Sequence, residues 1–393
     1  DPAGRRSLAV ALARLHVPAR GRGASAYAIA AKALLEDPGR VSPKDWSLTL
    51  HALARSAHTD GGRVLGGALQ RLEREDLSRW PPIDLALLCN AAGRLGAAHG
   101  ACGGTVASLW PAFLARVAVL APDMAPRCGP QDTAHLLSAL ASMPRSKHSV
   151  SRQACRELLG GGRALALVRG VSLEGLCAAL GACARLGVGL ADAAGADASG
   201  ADAFAAACDR VARSGFQLQP AHVAHLAEAF ARWQPPFGAS GATPGSDSHG
   251  DAHAVSSVGA EAAEANTVGA SGDSCAAARV AALFESTLRP AVVRTADEFR
   301  DPRHVAFAAS ALVRSGCGGL AELAPLEALA GRLAAAQRSE GDPLRWERVD
   351  GPTLALMGEA FARAHAAADG GARGAIGRML ESMRDHLLGA ASG

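Results

Sequence analysis

An arginine recurs along the sequence at the end of a repeated Ala-x-Ala segment. Arginine suits phosphate and carboxylate binding because its planar guanidinium can donate two parallel hydrogen bonds. When the residue nine before the first alanine of each segment is counted as position zero, the arginine stands at position twelve in seven of eight copies: Arg14, Arg55, Arg94, Arg185, Arg232, Arg314 and Arg363. A constant guanidinium in a repeated frame predicts contacts with a regular anionic backbone, such as that of RNA.

Position eight, in contrast, changes from copy to copy and is mostly polar. Because four residues separate positions eight and twelve, both lie on one face of a helix. A variable polar residue beside a constant arginine predicts base reading next to phosphate holding. The base-facing candidates are His51, Asn90, Ser138, Glu228, Ser310 and Glu359.

The same arginine series also has a structural interpretation. An arginine in the last turn of a helix favours the negative end of the helix dipole, and it can bond unpaired carbonyls or a neighbouring repeat. Variable polar residues are equally typical of a solvated helix face. The sequence leaves both interpretations open, and they differ in whether neighbouring repeats occupy the arginines.

The residues at position zero predict where each of these helices begins. Proline suits the first helical position because it has no amide hydrogen to leave unpaired, and a preceding Ser or Asp caps the helix. Position zero is occupied by Pro2, Pro43, Pro82, Pro130, Leu173, Pro220, Pro302 and Gly351. The predicted capping residues are Asp1, Ser42, Ser172, Asp301 and Asp350.

A second apolar helical pattern follows each first helix. The predicted second helices span residues 25–36, 63–75, 106–120, 149–159, 201–213, 277–293, 320–337 and 372–388. Paired helices in units of roughly 40–50 residues predict an all-α fold, an α-solenoid of about eight helix-turn-helix hairpins.

The spacing of the repeats also predicts the domain organisation. Residues 1–236 hold repeats one to five and the first helix of the sixth repeat. Residues 237–276 are rich in Gly, Ser, Ala and Asp, which predicts a flexible low-complexity insertion. Residues 277–393 hold the rest of the sixth repeat and repeats seven and eight.

Composition excludes several classes of function. The net charge of +3 gives weak long-range attraction to a polyanion, and the 4% of aromatic residues offers few stacking platforms for bases. No apolar run reaches the roughly 18 residues that span a bilayer, so no membrane insertion is expected. Nine scattered cysteines have no zinc-ligand spacing, and we expect them to be reduced core residues.

Catalytic motifs are weak throughout the sequence. Gly238-Ala239-Ser240-Gly241 resembles a nucleophile elbow but lies in the predicted insertion without a preceding strand. The run Gly160-Gly161-Gly162 could cradle a phosphate but is more typical of a turn. The trio His222, His225 and Glu228 could touch a metal but is more typical of a solvated helix face. We therefore expect no enzyme activity, no cofactor, no metal and no small-molecule substrate.

The segments Ser42-Pro43-Lys44-Asp45…Leu53-Ala54-Arg55 and Leu173-Glu174-Gly175-Leu176…Cys183-Ala184-Arg185-Leu186-Gly187 resemble the first helix of octotricopeptide-type repeats. This family, with the related heptatricopeptide and RAP-associated repeats, comprises organellar α-solenoids of green algae and apicomplexan-type parasites. The resemblance covers nearly the whole chain except the insertion. The chain lacks the tryptophan usual before the Ala-Leu-Ala core, where His51 and Asn90 stand, its repeat lengths are irregular, and no RAP domain is recognised after Leu388.

The resemblance implies RNA binding in mitochondria or chloroplasts, often within ribosomes or RNA-processing assemblies. We therefore expect a mitochondrial protein that holds RNA, with rRNA as the expected type, together with other proteins of a large complex. A chloroplast is the alternative compartment. The alternative function is a protein–protein scaffolding solenoid of a large organellar complex without RNA contact.

Overall fold

A computed structural model describes residues 22–36, 41–56, 60–95, 104–190, 199–233, 270–315, 323–367 and 374–391. Over these ranges every regular element is a helix and no strand occurs. The all-α prediction is therefore confirmed. The first predicted helix, with Arg14, lies outside the described residues, as do residues 237–269 of the predicted insertion.

The chain divides into two compact units, Asp1–Ala206 and Ala207–Gly393. The first unit contains α1 (Arg22–Glu36), α2 (Pro43–Arg55), α3 (Gly61–Leu72), α4 (Pro82–Arg94), α5 (Gly104–Val119), α6 (Ala121–Met124), α7 (Pro130–Leu140), α8 (His148–Leu159), α9 (Arg163–Gly170), α10 (Leu173–Leu186) and most of α11 (Ser199–Arg213). The second unit contains α12 (Pro220–Trp233), α13 (Ala270–Leu283), α14 (Arg289–Thr295), α15 (Pro302–Arg314), α16 (Ala324–Gln337), α17 (Gly351–Ala367) and α18 (Ala375–Ala391).

The first helices of the repeats, α2, α4, α7, α10, α12, α15 and α17, each begin at the predicted position zero. The predicted caps explain four of these starts, since each side chain accepts a hydrogen bond from a backbone N–H of the first turn. The bonds run from Asp45 N to Ser42 Oγ (3.2 Å), from Gly175 N to Ser172 Oγ (3.1 Å), from Arg303 N to Asp301 Oδ1 (2.9 Å) and from Thr353 N to Asp350 Oδ1 (2.8 Å).

Within each unit, consecutive first helices pack against one another, α2 on α4, α7 and α10 in turn, and α12 on α15 and α17 in turn. Alanine at position nine of every described first helix is at most 5% exposed, and this small side chain lets neighbouring backbones approach closely. These alanines are Ala52, Ala91, Ala139, Ala182, Ala229, Ala311 and Ala360. Positions eight and twelve are thereby held at the junction between neighbouring first helices.

Arginines of the second helices bind carbonyls at the C-terminal ends of preceding second helices. Arg116 of α5 donates to the carbonyl oxygens of Leu72, Glu73 (3.1 Å) and Glu75 at the end of α3. Arg294 of α14 donates to Gly215 O (2.6 Å), just after α11. The orphan carbonyls that end a helix are thus satisfied by the following repeat. The sequence predicted carbonyl binding only for the arginines at position twelve.

The sixth hairpin differs from the prediction in its second helix. This helix begins at Ala270, seven residues before the predicted start, and a π-helical turn at Phe284–Leu288 separates α13 from α14. The turn precedes Pro290, which cannot donate the usual i−4 hydrogen bond, and a π turn is one way to accommodate the missing donor. Helix α12 packs against this turn and α14, so both helices of the hairpin meet despite the long segment between them.

The apolar interior contains most of the cysteines, as expected from the sequence. Cys89, Cys128, Cys155, Cys177, Cys183 and Cys208 form no disulfide, and all of these except Cys128 are buried. In the described part of the chain, no single helix is both long enough and apolar enough to span a membrane. Val106–Val119 and Ala121–Arg127 meet these criteria only when they are taken together, and the chain bends by 59° between them.

Candidate nucleic-acid interface

Positions eight and twelve of the first helices form one surface in each unit, which we call the arginine face. In the first unit it comprises His51 and Arg55 on α2, Asn90 and Arg94 on α4, Ser138 and Ser142 on α7, and Arg185 on α10. In the second unit it comprises Glu228 and Arg232 on α12, Ser310 and Arg314 on α15, and Glu359 and Arg363 on α17. Arg55, Arg94, Arg232 and Arg363 are exposed, whereas Arg185 and Arg314 are half-buried.

In the second unit, Glu228 joins two arginines of this face. Its carboxylate accepts a hydrogen bond from Arg232 of its own helix (Nε to Oε1, 2.6 Å) and another from Arg314 of the next first helix through Oε2. Glu228 is 6% exposed, and both of its carboxylate oxygens are bonded. The structure therefore places this base-facing candidate as an internal bridge, and we do not retain it as a base contact.

Arg363 has a weaker acidic partner. Its guanidinium lies 2.7 Å from Glu359 on the same helix, with both side chains more than half exposed. A solvent-exposed pair of this kind contributes about 0.3–0.5 kcal/mol. The three arginines of the second-unit face are thus all engaged by carboxylates of that same face.

In the first unit, His51 occupies the place that Glu228 has in the second. Burial is the main cause that lowers the pKa of His51 to about 4, and the nearby Arg94, Arg55 and His135 contribute to this shift in the same direction. Its Nδ1 is buried and makes no hydrogen bond. As in the second unit, the position-eight residue is influenced by the position-twelve arginines of its own helix and of the next one. Here, however, the neighbouring groups that shift the pKa of His51 are all basic.

His135 also belongs to this site, although sequence reasoning did not select it. It lies at position five of α7, three residues before Ser138, so the helical spacing that placed position eight on this face could have identified it. Burial is the main cause that lowers the pKa of His135; Arg94 acts in the same direction, while Asp132 and Glu174 oppose it. Its Nε2 lies 2.9 Å from the amide nitrogen of Gln131, and its Nδ1 is buried without a partner.

The fourth repeat, where Ser142 replaces arginine at position twelve, has a packing explanation. The indole N–H of Trp110 on α5 donates to Ser142 Oγ (3.2 Å), and Ser142 in turn donates to the Ala139 carbonyl (2.6 Å). The hydroxyl of Ser138 donates to the Ala134 carbonyl (2.9 Å), which leaves its oxygen to accept a hydrogen bond from a ligand.

The stability of the protein should depend on the protonation of His51. The pKa of His51 is about 4 in the folded protein and 6.5 for an unperturbed histidine, so the unfolded chain binds the proton more tightly. Lowering the pH from 6.5 to 4 therefore favours unfolding. Between pH 7 and pH 4 we expect the parent protein to lose about 1–2 kcal/mol more stability than His51→Gln, after allowance for the partial exposure of the ring. Urea unfolding at several pH values measures this difference, and parallel pH profiles would contradict it.

The remaining candidates for metal binding, phosphate binding or catalysis either have a structural role or lie outside the described residues. The ring of His225 packs edge-on against His304, with centroids 5.2 Å apart, and no group of three potential metal ligands occurs in the described ranges. Gly161 and Gly162 adopt positive φ values of 61° and 78°, in a turn that Arg163 closes by donating to the Glu157 carbonyl (2.5 Å). The segment Gly238–Gly241 is not described.

No protein-family model matches this chain, and no curated protein matches it in sequence. Functional inference therefore depends on the residues of the chain itself.

The two units differ in charge as well as in their arginine faces. Residues 1–206 contain 23 Lys and Arg against 16 Asp and Glu, a net charge of +7, whereas residues 207–393 contain 17 against 21, a net charge of −4. The small total of +3 conceals this difference. A basic first unit would attract a polyanion over distances comparable to the Debye length, and an acidic second unit would not.

Proposed function

We propose that the protein binds RNA through the arginine face of its first unit. Arg55, Arg94 and Arg185 hold backbone phosphates, and His51, Asn90 and Ser138 contact base edges. The observation that carries this proposal is the arginine pair Arg55 and Arg94, which is exposed on the more basic of the two units, with both guanidiniums acting on the pKa of the His51 ring. Guanidinium groups in such a setting are well suited to phosphate oxygens.

The cellular setting is also a proposal. The likeness to octotricopeptide-type repeats supports a component of an organellar assembly, with a mitochondrial ribosome and its rRNA as our first choice and a chloroplast assembly as the alternative. The shortage of stacking aromatics fits this setting because partners in a ribosome share the work of holding RNA. No enzymatic step is part of the proposal.

Salt dependence of RNA binding tests the phosphate contacts. For Arg55→Gln and Arg94→Gln, we expect similar losses of affinity for different single-stranded RNA sequences, because phosphate contacts do not depend on the bases. Each change should reduce the slope of log affinity against log salt by about 0.7. Fluorescence anisotropy with labelled oligoribonucleotides over a salt series measures both quantities.

The second unit offers matched controls for this experiment. Arg232→Gln and Arg363→Gln remove the same charge from arginines that carboxylates already engage, so the salt slope should stay that of the parent. His51→Ala and Asn90→Ala should instead change the preference among sequences. Equal slopes for all four arginine variants would refute phosphate contact by Arg55 and Arg94.

A second candidate function is protein scaffolding by the second unit. Its net negative charge and its internally paired arginine face do not favour RNA. Its surface also carries Phe216, 74% exposed, beside the carbonyl that Arg294 binds. Exposed aromatics of this kind are enriched in protein interfaces. A parent protein without measurable RNA affinity would leave scaffolding as the function of the whole chain.

A further inference from the structure

Two buried thiols, those of Cys155 on α8 and Cys183 on α10, meet between the fourth and fifth repeats. We propose that a peroxide oxidises this pair to a reversible disulfide, which crosslinks the second helix of the fourth repeat to the first helix of the fifth. The inference concerns a modification site in the interior of the first unit, and it does not depend on the proposed RNA binding.

The geometry of the pair is close to that of a disulfide. The two sulfur atoms lie 3.8 Å apart, within hydrogen-bond distance, and both side chains are 0% exposed between the packed helices α8 and α10. A disulfide bond measures about 2.05 Å, so the sulfur atoms must approach each other by about 1.8 Å. Rotation of the two side chains about their Cα–Cβ bonds supplies movement of this size without separation of the helices.

Two other buried cysteines provide a comparison. Cys89 and Cys208 are also buried, and burial is the main cause that raises the pKa of each thiol to about 12. Among the described residues, neither of them hydrogen-bonds to a second thiol. Burial is therefore common to all four cysteines, and the partner sulfur distinguishes Cys155 and Cys183.

The oxidation consumes two thiols and one molecule of hydrogen peroxide. One cysteine, as its thiolate, attacks a peroxide oxygen, the O–O bond breaks, and a sulfenic acid forms while the released hydroxide takes up the thiol proton to give water. The sulfur of the second thiol then attacks the sulfenic sulfur, the S–O bond breaks, and a second water leaves with the remaining proton. Each sulfur loses one electron overall, and both peroxide oxygens end as water.

The surroundings of the pair make the first of these steps slow and the second fast. The hydrogen bond with Cys183, followed by burial, raises the pKa of the Cys155 thiol well above its usual range. Because the thiolate is the attacking species, the oxidation should be slow at neutral pH and faster at higher pH. Once a sulfenic acid forms, the second sulfur is already in contact with it, so the disulfide forms before further oxidation to a sulfinic acid.

The crosslink would stabilise the junction of two repeats. Helix α10 packs on α7 and α8 of the preceding repeat, so local opening of this junction separates α8 from α10. A disulfide between residues 28 apart prevents that separation and restricts the unfolded chain. We expect the oxidised protein to melt at least about 5 °C above the reduced protein, and dithiothreitol should restore the original melting temperature.

Peptide mapping of the full chain after treatment with hydrogen peroxide tests the pair. We expect a linked Cys155–Cys183 peptide, lighter than its two parts by two hydrogen atoms, while Cys89 and Cys208 still react with an alkylating reagent after denaturation. Cys183→Ala should abolish both the link and the rise in melting temperature. Cys177→Ala removes a buried thiol from the same helix, and this matched control should retain both.

The extent of oxidation is judged from Cys128, which is only half-buried. No linked peptide at a peroxide exposure that has oxidised Cys128 would overturn the inference. A disulfide that joins Cys155 to a cysteine other than Cys183 would overturn it as well. These outcomes are read on the parent protein, so they hold even if a variant does not fold, and they do not bear on RNA binding.

Discussion

Replacement of Arg332 by methionine is expected to lower the free energy of unfolding of the second unit by about 3 kcal/mol. Arg332 is 6% exposed on α16, where its guanidinium lies 2.8 Å from Asp342 and its Nε donates to the Phe299 carbonyl (3.2 Å). Methionine would leave the Asp342 carboxylate, 14% exposed, and the Phe299 carbonyl without this donor. Burial alone would raise the pKa of Asp342, but hydrogen bonds from Leu344 and Arg332 outweigh it and hold the pKa below its usual range.

Urea unfolding followed by tryptophan fluorescence measures this effect, since Trp346 lies in the same unit. Arg338→Met is the matched control because Arg338 is exposed at the end of the same helix and should change stability by less than about 0.5 kcal/mol. The double variant Arg332→Met with Asp342→Leu should recover part of the loss, because it leaves no unpaired buried charge. Equal stabilities of Arg332→Met and Arg338→Met would show that the pair contributes nothing.

Charge reversal at Arg55 and Arg94 together should have the largest effect on RNA binding. The double variant Arg55→Glu with Arg94→Glu would remove the two proposed phosphate contacts and put two carboxylates in their place. Each lost charge-assisted contact corresponds to about tenfold in affinity, so we expect a loss of about 100-fold or more at low salt. Anisotropy at low and physiological salt should show the loss shrinking as salt rises, because the added repulsion is screened.

A double variant elsewhere in the same unit controls for total charge. Arg74→Glu with Arg152→Glu makes the same change at exposed arginines outside the arginine face. We expect less than about fivefold loss of affinity from this control, through the reduced long-range field alone. If both double variants weaken RNA binding equally, attraction is a property of the overall charge of the unit and the arginine face has no special role.

Most of the fold could be predicted from the sequence because its signals are local. A proline or capping residue defines a helix start through its own backbone and the following turn, and the seven described first helices all begin where these residues stand. The π turn before Pro290 and the early start of α13 could not be predicted, because both depend on how this helix packs against α12.

The site could be predicted only in part. Helical spacing correctly grouped positions eight and twelve on one face, but spacing within a helix does not tell which residue of the next helix each one meets. Glu228 appeared as a candidate base contact for this reason, whereas its partner Arg314 lies 86 residues away along the chain. The carbonyl-binding arginines of the second helices, such as Arg116, carry no repeated sequence signal and were missed.

The alanines at position nine have a consequence for how such a chain can evolve. Because they fix the approach of neighbouring first helices, a substitution at position eight alters the charge of one junction without disturbing the packing beneath it. A glutamate there can pair with the arginines at position twelve, as Glu228 does with Arg232 and Arg314, and a neutral residue cannot. A single codon change at position eight can therefore add or remove a charge beside the position-twelve arginines, so each repeat can change the electrostatics of its surface independently of the others.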